Sequence, residues 1–349
     1  MPSSPPDPGT AGPRAADTVR CDADDLLRYT VQILQAIGMR APDARDMADQ
    51  IVDSELSGHE SHGLRRLAEY VQCVDGGGTD PAATPVIDLD RGALARIDGR
   101  RGFGHIVVRD ATALAVERAK RHGIAAVAVH HSDFAGRFAT FCRDAAAAGI
   151  ATLVFVNDAG GAQDVAPPGG LEPRMATNPI AAGVPRAGHP HLVIDLATSA
   201  VAMGRLSEWR DRGEPIPADW VTEQGVLTSM AGVKGFGLAL IAEALAGALT
   251  TAGTVRPDPG PGSQGVLIVA IDVDALRPLA DFTAEVESFT GYLKDTPVGA
   301  GRPPVRIPGE ASAATATTRR EHGVPIQRFT WRAMQAMGER FGVALPTAR

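Results

Sequence analysis

Apolar residues return at helical spacing on both sides of an early, glycine-marked break. Met47, Ala48, Ile51, Val52 and Leu56 precede Gly58, and Leu64, Leu67, Ala68, Val71 and Val74 follow Gly63. Positions i, i+3, i+4 and i+7 share one helix face, so the pattern predicts helix, short break, helix. The mostly helical stretch runs from Asp22 to Val74 and stops at Asp75-Gly-Gly-Gly78. Beyond Pro85 the period changes. Val86–Leu89, Ala93–Ile97, Ile124–Val129, Ile150–Val156, Leu192–Ile194 and Val266–Val273 read as strands, the central ones apolar enough to be buried on both faces. Helical patterns lie between or after them at Val107–Arg121, Phe138–Ala148, Phe236–Thr250 and Trp331–Phe341. Strands alternating with helices predict an α/β architecture with a mixed sheet.

Bulk composition narrows the function classes. A chain of 349 residues can bury a large core and is expected to form two sub-domains. Its net charge of −7 argues against a nucleic-acid or anionic-membrane partner. No apolar run approaches the ~20 residues that span a bilayer. Residues 1–18, rich in Pro, Ser, Gly and Ala without an apolar h-region, read as a disordered tail rather than a signal peptide. Cys21, Cys73 and Cys142 are odd in number and lack metal-ligand spacing. A cytoplasmic protein with no metal site is the expectation.

Candidate chemistry gathers in Glu60-Ser61-His62-Gly63-Leu64-Arg65-Arg66. With Ser61 as N-cap of the second helix, His62 and Arg66 would stand at i and i+4 on one face. A cation and a helix N-terminus there would attract a carboxylate, and His62 could exchange a proton with the neighbouring carbon group. The bland alternative is a surface helix with a capping serine. Among 34 basic residues the lysines are Lys120, Lys234 and Lys294. Lys234 lies between glycines in Gly232-Val-Lys-Gly-Phe-Gly237, an unusual setting for a merely solvated charge. Gly260-Pro-Gly262-Ser-Gln-Gly265 matches a dinucleotide fingerprint as a string. It precedes a strand instead of following one, so it reads as a loop.

These residues resemble a non-Rossmann family of NAD(P)-dependent enzymes, the malate/L-lactate dehydrogenases. The family includes sulfolactate and ureidoglycolate dehydrogenases, diketogulonate reductase and cyclic-imino-acid reductases. After Ser61-His62-Gly63 and Arg66, the matches continue in order. They are Asn157, Val165-Ala-Pro-Pro-Gly-Gly170, Ala176-Thr-Asn-Pro-Ile-Ala181, Asp195-Leu-Ala-Thr-Ser199 and Ala202-Met-Gly204. Lys234 with Gly235-Phe-Gly-Leu-Ala-Leu240 and Glu243, then Pro308-Gly309-Glu310, complete the series. Coverage runs from about residue 22 to 345.

The resemblance implies a helical N-terminal region (19–85), a mixed-sheet NAD(P)-binding domain of the L-sulfolactate dehydrogenase type (86–310), and a C-terminal helical segment (311–349) packing on the N-terminal region. It implies His62 as proton donor and acceptor, Arg66 as clamp for a substrate carboxylate, and Asp195 orienting His62. Ser61, Thr177 and Asn178 would line the substrate site. His131, Ser132, Asp158, Ala197, Thr198, Lys234, Gly309 and Glu310 would lie near NADH or NADPH. A homodimer acting on a small carboxylate-bearing substrate follows by the same resemblance. So does hydride transfer at the carbon alpha to the carboxylate of a 2-oxo/2-hydroxy acid or cyclic imino acid.

The chain also departs from its family. Where members carry Asn-Ser-Asn-His-Phe-Gly, this sequence reads His131-Ser-Asp-Phe-Ala-Gly136, so a second family histidine has become Phe134. Three readings follow: His62 is the acid; His131 or Asp133 has taken over; or the substrate is an imine that already carries its proton. The loop between Trp220 and Lys234 is short for the family, and Arg205 stands where a lysine is usual. A site repurposed for non-redox acid/base chemistry and a non-catalytic binding protein are the rival readings.

Overall fold

The computed structural model describes residues 18–159, 163–211, 213–257 and 263–348. The tail up to residue 17 and two glycines of the fingerprint-like string, Gly260 and Gly262, lie outside the described residues. In chain order the first elements are β1 (Thr18–Cys21), α1 (Ala23–Ala36), α2 (Ala41–Leu56) and α3 (Leu67–Asp75). Next come β2 (Val86–Arg91), β3 (Leu94–Gly102), α4 (Gly104–His122), β4 (Ile124–Ser132), α5 (Ala139–Ala147), β5 (Ile150–Ala159), β6 (Ile180–Val184) and β7 (Leu192–Leu196). The last are α6 (Met203–Asp211), α7 (Val233–Ala242), β8 (Ser263–Asp272), α8 (Leu279–Lys294), α9 (Glu310–His322), β9 (Val324–Gln327) and α10 (Arg328–Phe341). No helix among the described residues is long and apolar enough to cross a membrane.

The chain divides into two compact units, one from residues up to Gln72 together with those from Ala314 onward, the other from Cys73 to Ala313. Residues 73–85, assigned to the helical region from the sequence, belong to the second unit. There Thr79 Oγ1 donates to Asp133, and Arg101 donates to the carbonyls of Gly77 and Gly78.

In the first unit, β1 and β9 form a two-stranded antiparallel ribbon that ties the start of the chain to its end. Thr18, read as tail from the sequence, opens that ribbon. Asp22 caps α1 by accepting the Asp24 amide at 2.8 Å, and Asp24 and Asp25 add negative charge at the positive helix end. Leu26, Ile33, Leu34, Met47 and Ile51 are fully buried, and the Tyr29 hydroxyl donates to Met334 O of α10 at 2.6 Å.

One polar group interrupts this apolar packing. Glu55 stands four residues after Ile51 on the inward side of α2 and is 2% exposed. Its Oε1 accepts the Leu64 amide at 2.8 Å. Arg319 of α9 donates to the Glu55 carbonyl and to Glu60 Oε1. Burial above all, and Glu60 next, push the Glu55 carboxyl up to about 8; the Leu64 N–H and Arg319 pull the other way.

In the second unit a seven-stranded sheet runs in the order β2-β3-β4-β8-β5-β6-β7. Only the β3–β4 pair, joined through α4, is parallel. Val107, Val108, Ala111 and Ala115 of α4 and Phe141, Cys142 and Ala145 of α5 share one apolar core with Val127, Val129, Val154, Val156 and Ile268. Small residues bring layers close: a Cβ on Gly183 of β6 would stand 2.5 Å from Cys142 O of α5.

The expected helix Phe236–Thr250 is α7 followed by a π-helical turn, Glu243–Ala248, which packs on β5 and β8. Gly265, from the fingerprint-like string, lies in β8 where any Cβ would overlap Ala246 O of that turn. Its described role is close packing.

Two predictions follow from Glu55. A glutamate near 4.5 when unfolded and near 8 when folded binds more protons in the folded state across that window. Stability therefore falls as pH rises from about 4.5 to about 8. Glu55→Gln keeps an acceptor for Leu64 without the charge, so its melting temperature should fall less than wild type between pH 5 and pH 9. Parallel melting curves for the two proteins would refute this. Gly63→Ala should lower the melting temperature at every pH, because the new Cβ would stand 2.7 Å from Glu55 Cδ.

Candidate active site

The break between α2 and α3 is not a helix start. It consists of two single 3₁₀ turns, Glu60–His62 and Leu64–Arg66, separated by Gly63 at φ −97° and ψ −143°. Ser61 is consequently not an N-cap, and an i,i+4 helix face does not relate His62 to Arg66. Arg66 Nε instead donates to the Ser61 carbonyl at 2.9 Å, while Ser61 Oγ lies 3.0 Å from His62 Nδ1. Ser61 thus contacts both Arg66 and His62, the first through its carbonyl and the second through its hydroxyl. Arg66 also pairs with Glu69. All three site side chains are half-buried. Glu55 supports the arrangement from below, an anchor that sequence reasoning missed. The available signal was an acid on the apolar face of α2.

In the second unit, Asp195 of β7 lies opposite Ala181 of β6. Its Oδ2 accepts the Ala139 amide at 2.9 Å at the start of α5. Burial raises the Asp195 carboxyl above the usual range, against the Ala139 amide, the Arg137 charge and the Phe138 amide. Asp195 and His62 belong to different units, and the carboxylate is held within its own unit at the head of α5.

Thr177, Asn178, Ala197 and Thr198 are brought together beside the start of α7. Thr198 Oγ1 donates to Thr177 O at 2.9 Å and Asn178 O at 3.1 Å. The Thr198 carbonyl accepts the Met230 amide at 2.9 Å. Asn178 is 1% exposed, and its Nδ2 donates to Glu243 Oε2 at 2.7 Å. Glu243 also accepts from Asn157 Nδ2 at 3.2 Å and the Val255 amide at 2.6 Å. Asn178, expected from the sequence to line the substrate pocket, is thus buried with its Nδ2 on Glu243, while its Oδ1 has no hydrogen-bond partner among the described residues.

Lys234 is exposed in the first turn of α7, after Gly232 at φ +63°. A Cβ on Gly235 would stand 2.6 Å from Thr198 O, so glycine alone lets α7 begin there. The Gly235 and Phe236 amides are spent on Met230 O and Gly232 O, so the exposed Val233 and Lys234 and the Lys234 ammonium are what this helix start can offer an anion such as a cofactor phosphate. Asp158, near the end of β5, is half-buried. Gly309 takes φ +101°, with His191 O 2.6 Å from where a Cβ would be.

Glu310 is committed: Lys294 Nζ reaches it at 3.0 Å, Arg186 Nη1 at 3.3 Å and the Ile307 amide at 3.2 Å. Burial raises its carboxyl, but Lys294, the Ile307 amide and Arg186 outweigh that and hold it low. Arg186, its side chain 1% exposed, also pairs with Glu287 at 2.7 Å.

Ser132 is buried and donates to Asp133 O at 3.0 Å, whereas His131 is exposed. Asp133 accepts from Thr79 and from the Phe134 amide. That double engagement opposes its use as a replacement acid beside Phe134.

The sequence model of the malate/L-lactate dehydrogenases matches residues 21–335. The L-lactate dehydrogenase of Cupriavidus necator is 35% identical over 338 residues, covering 90% of this chain and 96% of that protein. A Delta(1)-pyrroline-2-carboxylate reductase from Ancylobacter novellus is 30% identical, covering 88% of this chain and 94% of its own length. Among solved structures, malate dehydrogenase from Pyrococcus horikoshii superposes with a TM-score of 0.86 at 27% identity, over 96% of this chain and 99% of that one. With an ordered set of site motifs, a seven-stranded mixed sheet and similarity over nearly its full length, this chain belongs to the malate/L-lactate dehydrogenase family and is an oxidoreductase of that family.

Proposed function

We propose that the protein transfers hydride between a nicotinamide dinucleotide and the carbon alpha to a substrate carboxylate. The observation carrying this reading is the Ser61-centred arrangement, with His62 Nδ1 on the serine hydroxyl and Arg66 Nε on its carbonyl. Arg66 offers its guanidinium to the substrate carboxylate. With Nδ1 engaged by Ser61, Nε2 is the His62 nitrogen assigned to exchange the proton. By the family resemblance, Asp195 would orient that imidazole.

NADH or NADPH would supply or accept the hydride when bound. Val233 and Lys234, at the start of α7, would hold its phosphates. Ala197, Thr198, Asp158, His131, Ser132, Gly309 and the Glu310 backbone would complete its surroundings, and Thr177 would face the substrate. We also read the protein as a cytoplasmic homodimer. The exposed Leu238, Leu240 and Ile241 of α7 support a subunit contact.

Phe134 supports a second reading, in which the substrate brings its own proton and His62 is not needed as the acid. A phenyl ring cannot protonate a developing alkoxide, and Asp133 is already bonded twice. A cyclic imine that arrives protonated needs no such acid, and one relative is named for a pyrroline-carboxylate reductase. Cyclic imino acids are therefore expected to be reduced more efficiently than open 2-oxo acids.

Steady-state assays with pyruvate, oxaloacetate and Δ1-pyrroline-2-carboxylate, each with NADH and NADPH, test this. His62→Ala should lower kcat on a 2-oxo acid by about 10²–10⁴-fold while leaving nicotinamide affinity, read by fluorescence, unchanged. Full activity in that variant would remove His62 from the mechanism. Phe134→His should raise kcat/KM for 2-oxo acids relative to the imine; an unchanged ratio would break the link between Phe134 and substrate class.

A further inference from the structure

Asp98 of β3 and His130 of β4 face each other in the parallel register, with His131 next in the chain. One ligand atom from each of Asp98, His130 and His131 lies within 4.8 Å of the other two. His131 Nδ1 is 3.2 Å from Asp98 Oδ1. Two ligands about 2.0–2.1 Å from one tetrahedral zinc ion stand roughly 3.3 Å apart, so this pair already has that spacing. The cluster does not follow a sequence motif because its donors come from two strands joined by α4.

His130 supplies the independent observation. It is 6% exposed, and its Nε2 lies 3.0 Å from Asp88 Oδ2 of β2. Asp88 is itself held by Arg96 Nε, 3.1 Å from each carboxylate oxygen. The other ring nitrogen, Nδ1, is buried and has no hydrogen-bond partner among the described residues. An imidazole that gives one N–H to a carboxylate presents a lone pair at its other nitrogen, and supporting carboxylates set up metal-binding histidines in this way. A buried lone pair without a donor is costly, and a metal ion would relieve it. The two imidazole rings lie 4.3 Å apart, centroid to centroid.

We propose that Asp98, His130 and His131 form a binding site for a divalent transition-metal ion, zinc by preference, supported by Asp88. Two imidazoles and one carboxylate match the ligand types of zinc and not the all-oxygen shells of calcium or magnesium. His131 is exposed, its side chain 57% accessible, so it can adjust to close the triangle. Binding here requires neither nicotinamide nor substrate and is read on the chain alone.

The test is a Co²⁺ titration of the full chain after chelator treatment, following the visible ligand-field bands, then Zn²⁺ competition against a chromogenic chelator. The site predicts an intense low-coordinate Co²⁺ spectrum saturating at one ion per chain and displaced by Zn²⁺. Asp98→Asn, which keeps an acceptor for the Arg100 amide, and His131→Ala, at an exposed position, should each abolish that spectrum. Asp88→Asn should weaken Zn²⁺ binding by about 10–100-fold. His322→Ala, at an exposed histidine of the other unit, should change nothing. Only the pale six-coordinate Co²⁺ spectrum, or Zn²⁺ bound equally tightly by wild type and His131→Ala, would overturn the site. Far-ultraviolet circular dichroism confirms each fold, and if Asp98→Asn is misfolded, His131→Ala alone decides.

Discussion

The carboxyl group of Glu55, buried beneath Gly63, is the constraint on which the Ser61–Arg66 segment rests. Two consecutive 3₁₀ turns satisfy few of their own backbone groups, and an interior amide without a partner is costly. Glu55 meets the Leu64 amide, and Gly63 leaves room for it to do so. The serine within the first turn can then hold an imidazole through its hydroxyl and a guanidinium through its carbonyl. Any side chain at position 63 would displace the acid, and any apolar residue at position 55 would strand the amide. Arg319, reaching from α9, secures Glu60 and the Glu55 carbonyl in the same stroke.

The second unit uses the same device. Glu243 is turned inward by the π-helical turn after α7 and accepts from Asn157, Asn178 and the Val255 amide. Extra residues in a helix frequently mark functional regions, because they aim one side chain out of the regular face. Here that side chain joins β5, the loop before β6 and the segment following the helix. The neighbouring Thr198 latches the 177–178 carbonyls to the start of α7. In the second unit the buried Glu243 thus collects hydrogen bonds from segments distant in sequence, whereas in the first the buried Glu55 takes the Leu64 amide of the next turn.

How much of this was legible beforehand depended on the range of the interaction. α4, β4, α5, β5 and β8 carry strong period and fill the common core, so their apolar patterns predicted them to within a few residues. β1, β6 and β9 are four or five residues long, too short for a period to register. α8 escaped because its buried positions are Thr283 and Thr290, not an apolar stripe, and α9 buries only Ala316. At the site, the residue types of Ser61, His62 and Arg66 were readable, but their geometry was not. A spacing of four is helical only if the chain between is helical, and Gly63 with Glu55 below it makes two turns instead. Asn178 and Glu310 matched motifs, yet their side chains are committed to Glu243 and to Lys294 and Arg186. Such commitments are set by tertiary contacts that local pattern does not encode.

The scarcity of lysine has a practical corollary. Lys120 is bound to Asp272 at 2.7 Å and Lys294 to Glu310 at 3.0 Å, which leaves Lys234, exposed at the head of α7, as the side-chain amine most open to electrophiles. Acylating or carbamylating agents, whether reagents or metabolites, would therefore act on this enzyme at nearly a single address. That address is the positive end of the helix proposed to hold the dinucleotide, so under that proposal acylation of Lys234 would also weaken coenzyme binding.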